Sequence, residues 1–255
     1  MLLLPPGDSI ARFGPYTPSM LKINVVSSDT SETVTGLVVV IDVLRAFTTA
    51  AYALAAGATE IIPVRTVAEA VALRQRLPDA LIAGEVLGAR VPAFDLGNSP
   101  SEVLRTPLAG KRLIRRTSGG TQGLVRAVGA TTVLAGSFVC AGATLRYLQR
   151  LQPAEVTFVI TGAYPGWDGD EDRACAEYLS AGLHGRRADA GPFLARVRAS
   201  VPGRLFADAA HPEYPAEDLH CCLALDRFDF ALRVERQDTG LSMRAVRSAL
   251  GPTNY

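Results

Sequence analysis

Apolar residues run unbroken through 37–41 (LVVVI), and from Leu44 their spacing changes. Leu44, Phe47, Ala51, Leu54 and Ala55 fall on one helical face. The pattern predicts a strand buried on both faces, then a helix that Gly57 ends. The same alternation recurs along the chain. Residues 23–26 read as a strand and 27–33 (SSDTSET) as a polar turn. Strands at 59–64, 80–83, 111–116, 131–135 and 156–160 are followed by helices or long polar loops, with helices expected at 67–77, to about 128, at 141–151 and at 171 to about 183. Six strand–loop–helix units predict an α/β fold, a three-layer α/β/α arrangement with a mostly parallel sheet. After Gly185 the rhythm weakens. A helix at 191–200, an irregular stretch at 203–215, and strands at 219–224 and 230–234 near a sheet edge are expected as a C-terminal extension. Residues 1–20, rich in Pro and Gly, read as a loose leader, and 21–255 as a single domain with its one candidate sub-boundary near 185.

Composition narrows the function classes. Of 255 residues, 48% are hydrophobic, enough for an ordinary globular core. The 26 basic and 25 acidic residues nearly cancel, so no long-range field draws the chain to nucleic acid or to an anionic membrane. No apolar run approaches the ~20 residues of a membrane helix, and the opening MLLLPPGDSI lacks the basic region of a signal peptide. Cys140, Cys175, Cys221 and Cys222 match no zinc spacing and no secreted disulfide framework. These features predict a soluble cytoplasmic protein, with a homodimer as the default assembly.

In a parallel sheet the loops that follow the strands open on one edge, where such folds bind ligands. The chemistry gathers there. Asp42 ends the first strand, with Arg45 three residues on; Glu85 ends another. An aperiodic loop, 86–98, leads to Asn98 and Ser99, either of which can cap a helix opening at Pro100; Ser99 and Glu102 have the capping-box spacing. Thr117, Ser118, Gly119, Gly120 and Thr121 have the composition of an anion cradle, although neither GxxxxGK[ST] nor GxGxxG is present. Ser137 follows the fifth strand, and Asp168, Asp170, Glu171 and Asp172 follow the sixth. Bare carboxylates crowded together raise each other's pKa, and a divalent cation removes that cost; all-oxygen ligands favour Mg²⁺ or Mn²⁺. The plainer readings are a helix-capping Asp42 beside a surface Arg45, a tight glycine corner, and acids that complement a helix dipole.

Three patterns are decoys or alternatives. Cys140 and Arg146 fit C-x5-R, the spacing of cysteine-dependent phosphatases, yet Cys140 falls at a helix start where a buried thiol is the commoner outcome. The segment VVVIDVLRAFT is like the aspartyl-phosphate motif DxDx[TV], but Leu44 stands at the second Asp. DGDED imitates an EF-hand start and fails at Arg173 and Leu179. His184, His211 and His220 share no metal spacing.

Taken together, IDVLRAFTTA, AGE, FDLGNSP, TSGGTQGL, GSFVCAGAT, GDEDRACAEYL and HPEYPAEDLHCCLALDRFDF resemble the 2-phosphosulfolactate phosphatase family, over roughly residues 38–234. The resemblance implies an α/β, Mg²⁺-dependent phosphatase that releases phosphate from (2R)-2-phospho-3-sulfolactate on the route to coenzyme M. Ser118-Gly119 stands in part of a cradle that the family reads closer to T-x-NGT, and Cys140 stands where Asn is more usual. On this reading Asp42, Glu85 and some of Asp170, Glu171 and Asp172 hold Mg²⁺. Asp42 and Arg45 act on the phosphoryl group. Asn98, Ser99, the 117–121 backbone and Ser137 orient a small anionic phosphoester. The alternatives are the Cys140/Arg146 phosphatase and a non-catalytic binder of anionic metabolites.

Overall fold

A computed structural model describes residues 21–164, 166–237 and 240–247; the expected leader, 1–20, lies outside them. Ten strands form one mixed sheet. Four of them, β1 (Lys22–Ser27), β8 (Glu155–Ile160), β2 (Gly36–Ile41) and β7 (Ala130–Gly136), lie side by side and parallel in that order. A second parallel group holds β3 (Glu60–Pro63), β6 (Arg112–Arg116) and β4 (Leu81–Val86), with the short β5 (Ala89–Arg90) antiparallel on its edge. A separate pair, β9 (Ala163–Tyr164) and β10 (Trp167–Asp168), folds the loop after β8 into a small antiparallel ladder. Between the two parallel groups stand β11 (Ala231–Gln237) and β12 (Gly240–Val246), antiparallel to each other and to their neighbours. Counted through them, β3, β6 and β4 run opposite to β1, β8, β2 and β7.

The sheet is mostly parallel, as expected, but the late strands are central rather than at an edge. Exposed Arg233 and Glu235 flank buried Val234, which resembles an edge; an antiparallel strand with one face solvated gives the same alternation in mid-sheet. Residues 219–224 are no strand. Helix α9 (Ala216–Cys222) starts after Pro215 and buries Asp218, Cys221 and Cys222 at helical spacing.

The opposed halves nevertheless share one ligand-binding end. Asp42, just past β2, accepts a hydrogen bond of 2.7 Å from Gly120 N–H, just past β6. Those strands are five ladder steps apart, each about 4.8 Å. The sheet therefore coils back on itself, and its weakest step is β12–β3, where Met243 and Ile61 are the pair in register. Helix α1 (Ala46–Ala55) lies inside the coil. Residues 46–54 are all buried, so α1 has no solvated face, unlike the amphipathic helix its apolar spacing implied. Phe47, Ala50 and Leu54 pack in one cluster with Val40 and Ala135 of the first half and Ile61 and Leu113 of the second.

The outer helices follow the sequence closely, with one exception. They are α2 (Val67–Arg76), α3 (Pro100–Leu104), α4 (Gly120–Arg126), α5 (Ala141–Leu151), α6 (Asp170–Leu183), α7 (Gly191–Ala199) and α8 (Val201–Leu205). The exception is α8, which overlaps the stretch expected to be irregular. Thr66 caps α2 by accepting from Glu69 N–H, and Ser99 caps α3 from Glu102 N–H, with Pro100 at its start. The capping box is half made, because the Glu102 carboxylate turns to Gly97 N–H and Arg90. A second buried cluster joins Val39 and Phe158 of the sheet to Leu179, Leu183, Val197 and Cys222, on both sides of position 185. Among the described residues no helix is long and apolar enough to cross a membrane.

Candidate active site

Where the strand ends of the two halves meet, a cavity of about 460 Å³ is lined by Asp29 and by the four acids that the strand–loop–helix pattern marked, Asp42, Glu85, Glu171 and Asp172. Asp42 is buried. Its Oδ1 accepts from Ala46 N–H (2.8 Å), and its Oδ2 from Gly120 N–H (2.7 Å) and the Thr161 hydroxyl (3.2 Å). Burial raises its pKa, the amides of Ala46 and Gly120 oppose that, and the Glu85 charge adds to it. Glycine is required at 119 and 120 for space: a Cβ at Gly120 would stand 2.8 Å from Asp42 Oδ2, and one at Gly119 3.0 Å from it. Neither glycine has a positive φ, so the glycine-corner reading of this loop fails.

The 117–121 loop turns out to hold acids. Ser118 N–H donates to Glu85 Oε1 (2.5 Å), and Glu85 Oε2 accepts from Gly88 N–H (2.7 Å) and from the Ser118 hydroxyl (3.1 Å). Thr117 and Thr121 tie the loop to itself through Thr117 N–H to Thr121 Oγ1 (2.6 Å) and Thr121 N–H to Thr117 Oγ1 (3.0 Å). Both threonines are buried away from the cavity, which Ser118 and Gly119 do line.

The start of α6 supplies the other two acids. Asp172 accepts from the N–H groups of Val43 (2.9 Å), Thr161 (3.0 Å) and Gly162 (2.9 Å), so it joins the ends of β2 and β8. Burial, then the charges of Glu171 and Asp42, raise its pKa well above the usual carboxylate range against the pull of those amides. Glu171 is also buried, and its Oε2 is sealed from solvent with no hydrogen-bond partner among the described residues. Burial is the first cause that raises its pKa to about 7; the charges of Asp42, Asp168 and Asp170 add to it. Gly162 makes room, because a Cβ there would collide with Glu171 Oε1.

Two buried arginines frame these acids. Arg45 lines the cavity but is not free: Nη1 donates to Asp218 Oδ2 (2.7 Å) and to the Glu213 carbonyl (3.0 Å), and its guanidinium lies 4.8 Å from the Tyr214 ring centre. Asp218, fully buried, also accepts from the Ser99 hydroxyl (2.8 Å) and Ser101 N–H (3.0 Å). Arg115, on β6, is enclosed behind the site and donates to the Ala46 carbonyl and to Asn98 Oδ1. Burial lowers its pKa to about 10, and the charges of Asp42 and Glu85 oppose that fall. Because Asn98 Oδ1 is committed to Arg115, the amide is turned so that Nδ2 is the donor left for the cavity that Asn98 lines.

The remaining sequence candidates lie elsewhere. Ser99 caps α3 and binds Asp218. Ser137 is buried, its hydroxyl unpaired among the described residues, and does not line the cavity. Asp170 is held by Arg196 through Nη2 (2.5 Å) and Nε (3.2 Å). Among the described residues no three His, Cys, Asp or Glu side chains are grouped so as to enclose an ion by themselves. Sequence reasoning missed Arg115, Thr161, Tyr214 and Asp218. The segment HPEYPAEDLH held the only signal, an acid at helical spacing from two cysteines.

The model of the 2-phosphosulpholactate phosphatase family matches residues 24–237. The chain belongs to that family. Relatives named "Probable 2-phosphosulfolactate phosphatase" include one from Bacillus subtilis, 34% identical over 78% of this chain and 86% of its own length. Another, from Deinococcus radiodurans, is 38% identical over 68% of this chain and 74% of its own. A third, from Synechocystis, is 34% identical over 75% and 86%. Family membership makes the chain a phosphoric monoester hydrolase, which stands against the non-catalytic binder.

Within this phosphatase family fold the cysteine route has no support. Cys140 is wholly buried outside the cavity, and burial pushes its thiol pKa up, away from the thiolate a nucleophile needs. Arg146 pairs with Asp229 and does not line the cavity either. Cys140→Ala is expected to leave phosphate release within about twofold of the wild type while lowering stability by about 1 kcal/mol, the scale of a small core truncation. A colorimetric phosphate assay beside urea unfolding checks both; lost turnover in a folded variant would restore the thiol.

Proposed function

We propose that the protein is a Mg²⁺-dependent phosphatase that hydrolyses (2R)-2-phospho-3-sulfolactate, or a related phosphorylated hydroxy acid, to the free hydroxy acid and phosphate. The printed names of the relatives support the substrate. The observation that carries the metal is the buried, unpartnered Oε2 of Glu171 beside Asp42 and Asp172 in one cavity. Buried polar atoms are rarely left unpaired, and carboxylates whose charges raise each other's pKa call for positive charge. The donor set is all oxygen, and Mg²⁺ needs only one or two carboxylates because it keeps several waters. Asp42 and Glu171 would hold it, with Glu85 and Asp172 fixing the surrounding loops. Bound there, Mg²⁺ would neutralise charge on the phosphoryl oxygens and lower the pKa of a coordinated water.

The chain's own groups do the rest. Asn98 Nδ2, set by Arg115, donates to a phosphoryl oxygen as negative charge spreads in the transition state. Water adds to phosphorus, the ester P–O bond breaks, and the hydroxy acid leaves with a proton. Direct attack by water suits the site better than attack by Asp42, whose two oxygens are both engaged by backbone amides. The four cysteines are free thiols, which supports a reducing, cytoplasmic setting; a homodimer is the default assembly.

The deciding experiment is phosphate release from phosphosulfolactate with Mg²⁺ and with excess EDTA. Activity with Mg²⁺ and none with EDTA is expected; full activity in EDTA would refute the metal. Stability offers a second readout. Glu171 has a pKa raised from about 4.5 to about 7 by folding. Its contribution to stability is therefore present below about pH 4.5 and lost as pH rises through about 7. In EDTA the melting temperature should fall as pH goes from 5 to 8, by roughly 5 °C. Mg²⁺ should flatten that slope, and a slope equal with and without Mg²⁺ would count against binding at this acid cluster.

A further inference from the structure

The cavity extends from the acids to a wall formed by Ser28, Asp29 and the last residue of α4, Arg126. The phosphoryl end of a substrate belongs with the acids and their cation. A phosphorylated hydroxy acid carries at least one more anion, a carboxylate or sulfonate, within a few bonds of the ester oxygen. That group is repelled by Asp42, Glu85, Glu171 and Asp172, so it needs a cation of its own.

Arg45 and Arg115 are poor choices for it. Arg45 is buried and bound to Asp218, and Arg115 is enclosed behind Asn98. Arg126 differs in every respect. Its side chain is 40% exposed, and its ion pair with Asp29 is long, 3.4 Å, to a carboxylate that is itself 79% exposed. Such a pair adds little to stability and is easily exchanged. Position also favours it. Helix α4 begins at Gly120, whose N–H holds Asp42, and Arg126 lies six residues on, about 9 Å along the axis. Helical side chains lean toward the N-terminus, and Arg126 lines the same cavity as the acids.

We propose that Arg126 is a specificity-determining residue that leaves Asp29 to bind the second anionic group of the substrate. Asp29 keeps the guanidinium on the cavity wall when no substrate is bound and competes with substrate for it. The inference rests on the hydrolytic reading given above and adds the residue that selects such esters over monoesters with no second anion.

The test compares kcat/KM for phosphosulfolactate with kcat/KM for p-nitrophenyl phosphate, which has no second anion. It uses wild type, Arg126→Gln, Arg126→Lys and Asp29→Asn. In Arg126→Gln the ratio of the two constants should fall by about tenfold or more, the scale of a lost charge-assisted hydrogen bond. Arg126→Lys should recover part of it, and Asp29→Asn should raise the ratio. A purely structural role for Arg126 lowers both constants together. An unchanged ratio in Arg126→Gln, or a lower one in Asp29→Asn, overturns the inference while hydrolysis stands. If the wild type releases phosphate from neither ester, the hydrolytic reading falls and the inference falls with it.

Discussion

Asp42→Asn is expected to cut phosphate release by about 10³-fold while the protein stays folded. The substitution preserves size but removes the charge that faces the cavity. It also turns an amide NH₂ toward one of the two backbone N–H groups now held by carboxylate oxygens, those of Ala46 and Gly120. One N–H is left without an acceptor, a cost of about 1–3 kcal/mol. Against that, the neutral side chain ends the repulsion from Glu85 and Asp172, so the net fall in melting temperature should be small. Steady-state phosphate release and a circular-dichroism melt measure the two sides. Turnover within about tenfold of wild type would remove Asp42 from the chemistry, because a single well-placed catalytic group is worth more than that.

The largest effect on stability should come from Asp218→Ala, outside the acid cluster. Asp218 is the carboxylate partner of buried Arg45 and the acceptor for Ser99 Oγ and Ser101 N–H. Its removal leaves a charge and two donors in the interior, which should cost about 3–5 kcal/mol and lower the melting temperature by roughly 10 °C. Asp218→Asn keeps an acceptor for Ser99 and should lose less. Urea unfolding of the three proteins should rank the wild type first, the asparagine variant second and the alanine variant last. A loss under about 1 kcal/mol in Asp218→Ala would mean that the Arg45 pair is no more than a surface ion pair in strength.

How much of this the sequence revealed depends on the range of the forces involved. Helix α5 is legible from end to end, because its apolar spacing is a local signal. Asp42, Glu85, Glu171 and Asp172 are legible as lining one cavity, because each ends a strand or opens a helix. The pairing of β11 and β12 in mid-sheet is not legible, since half-solvated alternation is the same at an edge and at a centre. Arg115 hides in KRLIRR, where Arg116 and Arg112 are as basic and only the coil of the sheet decides which arginine is enclosed. Gly119 and Gly120 have a turn-like composition, yet their use is to admit Asp42, which lies 78 positions before Gly120. That contact depends on tertiary closure, which no local pattern encodes.

The splice at β11 and β12 has a consequence for how the protein comes into being. Every acid of the cavity has been synthesised by Asp172, yet the two half-sheets are joined only by strands from Ala231 onward. A nascent chain that stops short of those strands leaves the borders of β7 and β3 bare, and unpaired borders recruit other chains. Newly made protein is thus most vulnerable to clumping in the interval before its last two strands have emerged, when it already carries every acid of the cavity and its sheet is not yet continuous.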